Sequence, residues 1–123
     1  MPLTMIPHDV PMTEAIMVPA DRLIAGDPRQ GVANLYSDAG GEFHCGLWSG
    51  APATWRVRYS EHEFCHILAG RIRIREQDGG EWLVGAGDSF VVPAGFVGTW
   101  EILEPARKIY VIFEPRRENS ADA

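Results

Sequence analysis

Apolar and polar residues alternate in short segments along most of the chain, and turns rich in glycine and proline separate the segments. This pattern predicts β-strands. The candidate strands are 31–37, 42–50, 55–60, 63–70, 71–76, two or three within 81–103, and 107–115. A single helical turn near 13–17 is the one helix predicted. Roughly eight to ten short strands with close turns are typical of a β-sandwich or barrel.

The segment that begins at Tyr59 crowds histidines, glutamates and a cysteine in front of a glycine turn. Alternation divides these side chains between two faces of one strand. The first face carries His62, Phe64, His66 and Leu68, and the opposite face carries Glu63, Cys65 and Ile67. One strand therefore cannot offer Glu63 and both histidines to the same metal ion.

Size and charge narrow the class of protein. A chain of 123 residues fits one domain. We expect an extended arm over 1–20, the domain over 21–115 and a polar tail over 116–123. The net charge of −6, with scattered basic residues, argues against nucleic acid as a partner.

The same composition predicts where the protein works. No apolar run is long enough to span a membrane, and the N-terminal segment lacks the basic and apolar regions of a secretory signal. The expected location is the cytoplasm. Cys45 and Cys65 are then expected to be buried, reduced thiols, with a disulfide between them as the less favoured alternative.

Two segments resemble the cupin motifs. Gly87, Pro93 and Gly95 fall in register with the second motif, G-x5-P-x-G-x2-H-x3-N, and Glu63 and Gly70 have the spacing of the first. More narrowly, the chain resembles a cupin subfamily of mostly unknown function, related to the cupin domain of (S)-ureidoglycine aminohydrolases, which are manganese enzymes. The matching residues are Gly46, Trp48, Tyr59, Glu61, Glu63 to Cys65, Gly87 to Glu101 and Arg107 to Ile112.

The resemblance implies an all-β fold, namely the double-stranded β-helix (jelly-roll) barrel of RmlC-like cupins, with a homodimer as the expected assembly. Metal-binding cupins use two histidines of H-x-H, the glutamate and a histidine of the second motif. The glutamate position is Glu63, but the second-motif histidine position is Gly98. The H-x-H positions are Arg56 and Arg58 with a four-residue gap, or Val57 and Tyr59 with a three-residue gap.

Neither gap supplies a histidine, and an arginine has no lone pair to give to a cation. We therefore predict no metal cofactor. Manganese, zinc or iron would need a different ligand set, and the spacing of His44, His62 and His66 matches no common zinc pattern.

An inward-pointing Glu63 must be paired, or its pKa rises. Arg58 and Lys108 are the candidate partners, with Trp100 as an aromatic wall. Tyr59 and Glu63 are the candidate catalytic residues, because a carboxylate in such a pocket can act as a general acid or base. The candidate ligand-binding residues are Arg56, Arg58, Trp100, Lys108 and Tyr110. A satisfied structural ion pair is the alternative to a functional one.

Three functions remain open from the sequence. The first is binding of a small anionic or nitrogenous metabolite without a metal. The second is a metabolic enzyme similar to ureidoglycine aminohydrolase, which would hydrolyse a ureide-like substrate with or without a metal ion. The third is dimerisation through the face of His62 and Phe64 together with the N-terminal arm.

Overall fold

The computed structural model describes residues 1–116, and these form nine β-strands and no α-helix. The strands are β1 Glu14–Met17, β2 Leu23–Gly26, β3 Arg29–Ser37, β4 Phe43–Gly50, β5 Ala53–Arg58, β6 His62–Glu76, β7 Glu81–Gly85, β8 Ser89–Val92 and β9 Val97–Phe113. The helical turn predicted near 13–17 is wrong. Those residues form β1, because their backbone pairs antiparallel with β3.

The strands join into one antiparallel sheet that curls on itself, because its two long strands each change partners halfway. The first half of β9 pairs with β5 and the second half with β4. The first half of β6 pairs with β8 and the second half with β7. β6 and β9 also pair with each other, so the second half of β6 and the first half of β9 belong to one layer, with β7 and β5. The first half of β6 and the second half of β9 belong to the other layer, with β8 and β4. The two layers face each other as a jelly-roll barrel. The predicted all-β barrel is confirmed.

Gly70 lies at the bend of β6 and explains why two predicted strands are one. Its φ is +90°, and a Cβ there would lie 2.3 Å from the Pro105 carbonyl oxygen. Glycine allows the strand to turn the corner against β9 without ending. We predicted a break between two strands at this residue, whereas in the barrel it is a bend within one strand.

The core lies between the two layers. Its buried residues are Trp48, Cys65, Ile67, Ile72, Ile74, Val92, Trp100, Ile102, Ala106 and Tyr110. The alternation expected for β6 is confirmed: Glu63, Cys65 and Ile67 are buried, while Phe64 is exposed. Cys45 and Cys65 are both buried free thiols.

The N-terminal segment lies along the outside of the barrel. The Arg107 guanidinium donates hydrogen bonds to the backbone carbonyls of His8 and Val10, at 2.8 and 2.6 Å. Apart from Arg116, the polar tail predicted at 116–123 lies outside the described residues. Within residues 1–116, the structure has no helix of the length and hydropathy needed to cross a membrane.

Candidate functional site

A cavity of about 290 Å³ opens at the barrel mouth where β3, β4, β6 and β9 meet. Its lining residues are Ile16, Val32, Asn34, His44, Trp48, Glu63, Lys108, Tyr110 and Ile112. Strand alternation places these side chains on the inner face, because Trp48 pairs across from Lys108 and Gly46 across from Tyr110. Lys108 and Tyr110, two of the predicted ligand-binding residues, both line this cavity from β9.

A buried ion pair forms the floor of this cavity. Lys108 Nζ lies 2.9 Å from Glu63 Oε2, and the two residues are 4% and 6% exposed. The Tyr59 hydroxyl donates to Glu63 Oε1 at 2.8 Å. Both oxygens of the carboxylate therefore accept a hydrogen bond from a protein side chain, as a buried charge requires.

Two indole rings and a thiol complete the surroundings of the ammonium. Lys108 Nζ lies 4.2 Å from the ring centroid of Trp100 and 4.8 Å from that of Trp48. It also lies 3.6 Å from Cys65 Sγ. The negative faces of aromatic rings attract a cation, and this attraction grows when the cation is desolvated.

These contacts fix the protonation states. Burial opposes the charged form of Lys108, but the Cys65 and Glu63 side chains outweigh it and raise the pKa of Lys108 above its ordinary value. Burial, with Glu63 alongside, raises the pKa of Tyr59 well above 10.0. Burial also raises the pKa of Cys65 from 9.0 to about 12. At neutral pH the cluster therefore holds an ammonium, a neutral phenol and a neutral thiol, and a neutral thiol is a much weaker nucleophile than a thiolate.

A second polar pair lines the upper wall of the cavity. The Tyr110 hydroxyl donates to Asn34 Oδ1 at 2.6 Å, and burial raises the pKa of Tyr110 to about 12. His44 lines the same cavity and lies 2.7 Å, Nδ1 to Oγ, from Ser37. Asn34 and His44 were not predicted as site residues. Alternation within β3 and β4 places them on the inner face, which is the signal that could have found them.

The remaining predicted residues lie elsewhere. Arg56 and Arg58 are exposed on the outer face of β5, where they line a separate groove of about 450 Å³ together with Arg22. Arg58 is therefore not the partner of Glu63. Trp100 is 1% exposed and lies behind Lys108, outside the cavity lining.

The direction of the side chains shows how many residues separate the H-x-H positions from the glutamate in the first motif. Val57 and Tyr59 pack against the core, so the three-residue gap applies. Gly98 pairs across from Val57, and a Cβ at Gly98 would lie 1.9 Å from the Arg75 carbonyl oxygen. No side chain, and so no histidine, fits at that position without moving the backbone.

A metal ion does not fit this donor set. Within residues 1–116, no three His, Cys, Asp or Glu side chains come together in a way that could hold one. The one carboxylate at the motif position is engaged by an ammonium and a phenol. A divalent cation needs several converging neutral or anionic donors. Here the ammonium of Lys108 already occupies the position facing the Glu63 carboxylate.

Residues 37–110 match the EutQ-like cupin domain family. The chain belongs to this cupin family. No curated protein matches it. A protein of unknown function from Pseudomonas syringae pv. tomato, of the DUF861 family, is similar in structure with a TM-score of 0.81 at 21% identity. That match covers 87% of this chain and 46% of the Pseudomonas chain, so this cupin spans less than half of that relative.

Two EutQ structures are also similar to this cupin. The Clostridium difficile EutQ protein has a TM-score of 0.66 at 22% identity, covering 85% of this chain and 81% of its own. A putative ethanolamine utilization protein EutQ from Salmonella typhimurium has a TM-score of 0.62 at 20% identity, covering 71% of each chain. At these identities the likeness concerns the fold.

Proposed function

We propose that this cupin binds a small organic molecule at the barrel mouth and does so without a metal ion. The observation that carries the proposal is the Lys108–Glu63 pair, which is almost fully buried yet lines a cavity of about 290 Å³. Burying two charges costs several kcal/mol per ion before their attraction repays it. An ion pair with only a structural role inside the barrel would not require an open cavity next to it.

Hydrogen-bonding capacity defines the class of ligand. An ammonium has three donors, and in Lys108 two of them are directed at Glu63 and Cys65. A carboxylate accepts about four hydrogen bonds, and those described for Glu63 number two, from Lys108 and Tyr59. A ligand that offers an oxygen acceptor beside an N–H donor would satisfy both groups once the apolar side chains at the mouth move aside. Amides, ureides and amino acid-like carboxylates have this arrangement.

Ligand-detected NMR and thermal unfolding test the proposal with defined probes: acetamide, hydantoin as a cyclic ureide, glycine and lactate. We expect the amide and ureide probes to bind and to raise the melting temperature, because a ligand held only by the folded state stabilises it. Lactate, a carboxylate without an N–H group, tests whether an anion alone is enough for binding.

Variants at the mouth identify the site. Asn34→Ala and Tyr110→Phe should weaken binding of the same probe, whereas Tyr36→Phe, an exposed tyrosine outside the cavity, should not. Equal binding to all three variants would place the ligand elsewhere. Absence of binding for every probe class would overturn the proposal.

The second candidate is a hydrolase similar to ureidoglycine aminohydrolase, and Glu63 favours it. Glu63 is one of the residues that line the cavity, although the surface described there is almost wholly apolar. A general base must lie within hydrogen-bonding reach of its substrate, so this function requires the side chains at the mouth to move aside. Tyr59, at 2.8 Å, would orient the Glu63 carboxylate. Turnover of a ureide that is lost in Glu63→Gln supports this function. Stoichiometric manganese, zinc or iron in the purified protein would contradict the metal-free proposal.

A further inference from the structure

A second cavity, of about 310 Å³, lies between β7 and β8, and one of its lining residues, Val92, pairs across from Glu63. Both β7 and β8 pair with β6, and the described sheet gives neither another partner. The cavity opens between these two strands and reaches the inner face through Ile74 and Phe90. It shares no lining residue with the mouth cavity.

Aromatic rings form the walls of this second cavity. Trp82 and Phe96 lie 6.4 Å apart between ring centroids, with their planes inclined at 51°. Phe90 adds a third ring from β8. Trp82 is 48% exposed, although the cross-strand pairing with Ile74 turns it toward the inner layer. The indole lies close to Gly80, where a Cβ would be 2.6 Å from the ring, so glycine at this position leaves room for it.

Glu76 brings a negative charge to the same walls. It pairs across from Gly98 and so lies on the inner face, two residues after Ile74. Among the described lining residues, Glu76 alone is charged. Within residues 1–116 its carboxylate takes part in none of the side-chain ion pairs, which join Arg73, Arg75 and Lys108 to other glutamates.

We propose that this cavity is a binding site for a small organic ammonium ion that carries an aromatic or aliphatic group. Three aromatic side chains and one carboxylate line this cavity. A carboxylate and the faces of aromatic rings attract a cation, and the apolar walls accept its hydrocarbon part. An anion would meet only repulsion from Glu76. A neutral hydrophobe would leave the carboxylate unpaired in a partly desolvated cavity.

Calorimetry with two probes of similar shape tests the charge requirement. Phenethylammonium is a cation at neutral pH, and 2-phenylethanol is its neutral counterpart. We expect the ammonium to bind at least about tenfold more tightly, from its attraction to the aromatic faces and to Glu76. Equal affinity for the two probes, or no binding of phenethylammonium at millimolar concentration, would overturn the proposal.

Two pairs of variants separate charge from shape. Glu76→Gln should reduce the preference for the ammonium to about threefold or less, the share left to the aromatic faces. Glu104→Gln, at an exposed carboxylate on β9, should leave it unchanged. Trp82→Ala should abolish binding and Trp82→Phe should retain part of it. Because Trp82 is 48% exposed, both variants should fold. Binding that survives Trp82→Ala, or a preference unaltered by Glu76→Gln, would contradict the site.

Discussion

Lys108 faces, at 2.9 Å, the carboxylate that occupies the metal-ligand position of the first cupin motif. A tethered ammonium thus supplies the positive charge on this side of the barrel. The pair is stabilised by two indole faces and a phenol. Removing one member leaves the other charged and buried, which costs much more than the pair itself contributes.

Lys108→Met should therefore destabilise the fold by about 3–5 kcal/mol. Urea unfolding measures the change. The double variant Lys108→Met with Glu63→Gln should recover most of the loss, because no unpaired charge remains. If Lys108→Met costs less than about 1 kcal/mol, within the range of a surface ion pair, the pair is not desolvated as described.

The free energy of unfolding should fall as pH rises above about 9, the ordinary pKa of a thiol. The pKa of Cys65 is raised from 9.0 to about 12, so between these values the unfolded chain releases a proton that the folded chain keeps. The unfolded state then binds fewer protons, and stability falls as pH rises. The raised pKa values of Tyr59 and Lys108 act in the same direction.

Cys65→Ala checks this assignment. In the window from 9.0 to about 12, it should reduce the slope of unfolding free energy against pH by about 1.4 kcal/mol per unit. Cys45→Ala serves for comparison, since burial raises the pKa of Cys45 without the charged neighbours of Cys65. An unchanged slope in Cys65→Ala would show that the thiol titrates normally.

At the scale of elements, the close approach of β5, β6 and β9 decides what the barrel can hold. Gly98 pairs with both Val57 and Glu76, and a Cβ there would meet the backbone of Arg75 at 1.9 Å. The missing second-motif histidine thus comes with a backbone arrangement that excludes its side chain. The sequence showed only that a glycine stands at this position.

Gly98→Ala should destabilise the protein by about 2 kcal/mol or more, because the strands must move apart. Gly85→Ala is the matched control, since the nearest atom to a Cβ there is 3.5 Å away. Gly98→His should lose stability likewise and should not create manganese or zinc affinity in calorimetry. Tight metal binding by Gly98→His would contradict this view of the site.

At the scale of the whole molecule, one outer face is unusually apolar. Phe43, Phe64 and Phe113 come from β4, β6 and β9, and each is between 38% and 44% exposed. Phe43 and Phe113 are cross-strand partners, and Phe113 stacks on His62 at 6.4 Å between ring centroids. Large exposed apolar surfaces mark interaction sites.

We propose that a second copy of the chain covers this face, since a two-fold interface buries the same patch on both subunits. Light scattering at micromolar concentration should give twice the mass of one chain. Phe64→Glu should shift the protein to monomers, whereas Leu83→Glu, which is 49% exposed on β7, should not. A monomeric wild-type protein would overturn the proposal.

Strand periodicity, the turn residues and the cupin motifs were enough to determine the all-β barrel, the inward direction of Glu63 and the absence of histidines at the metal-ligand positions. Only the tertiary structure decided the partner of Glu63, the length of the gap in the first motif, the outward direction of Arg56 and Arg58, and the aromatic cavity between β7 and β8. Alternation tells which face a side chain takes. Which residues meet across that face depends on how β6 and β9 bend and pair, and no local pattern encodes that long-range register.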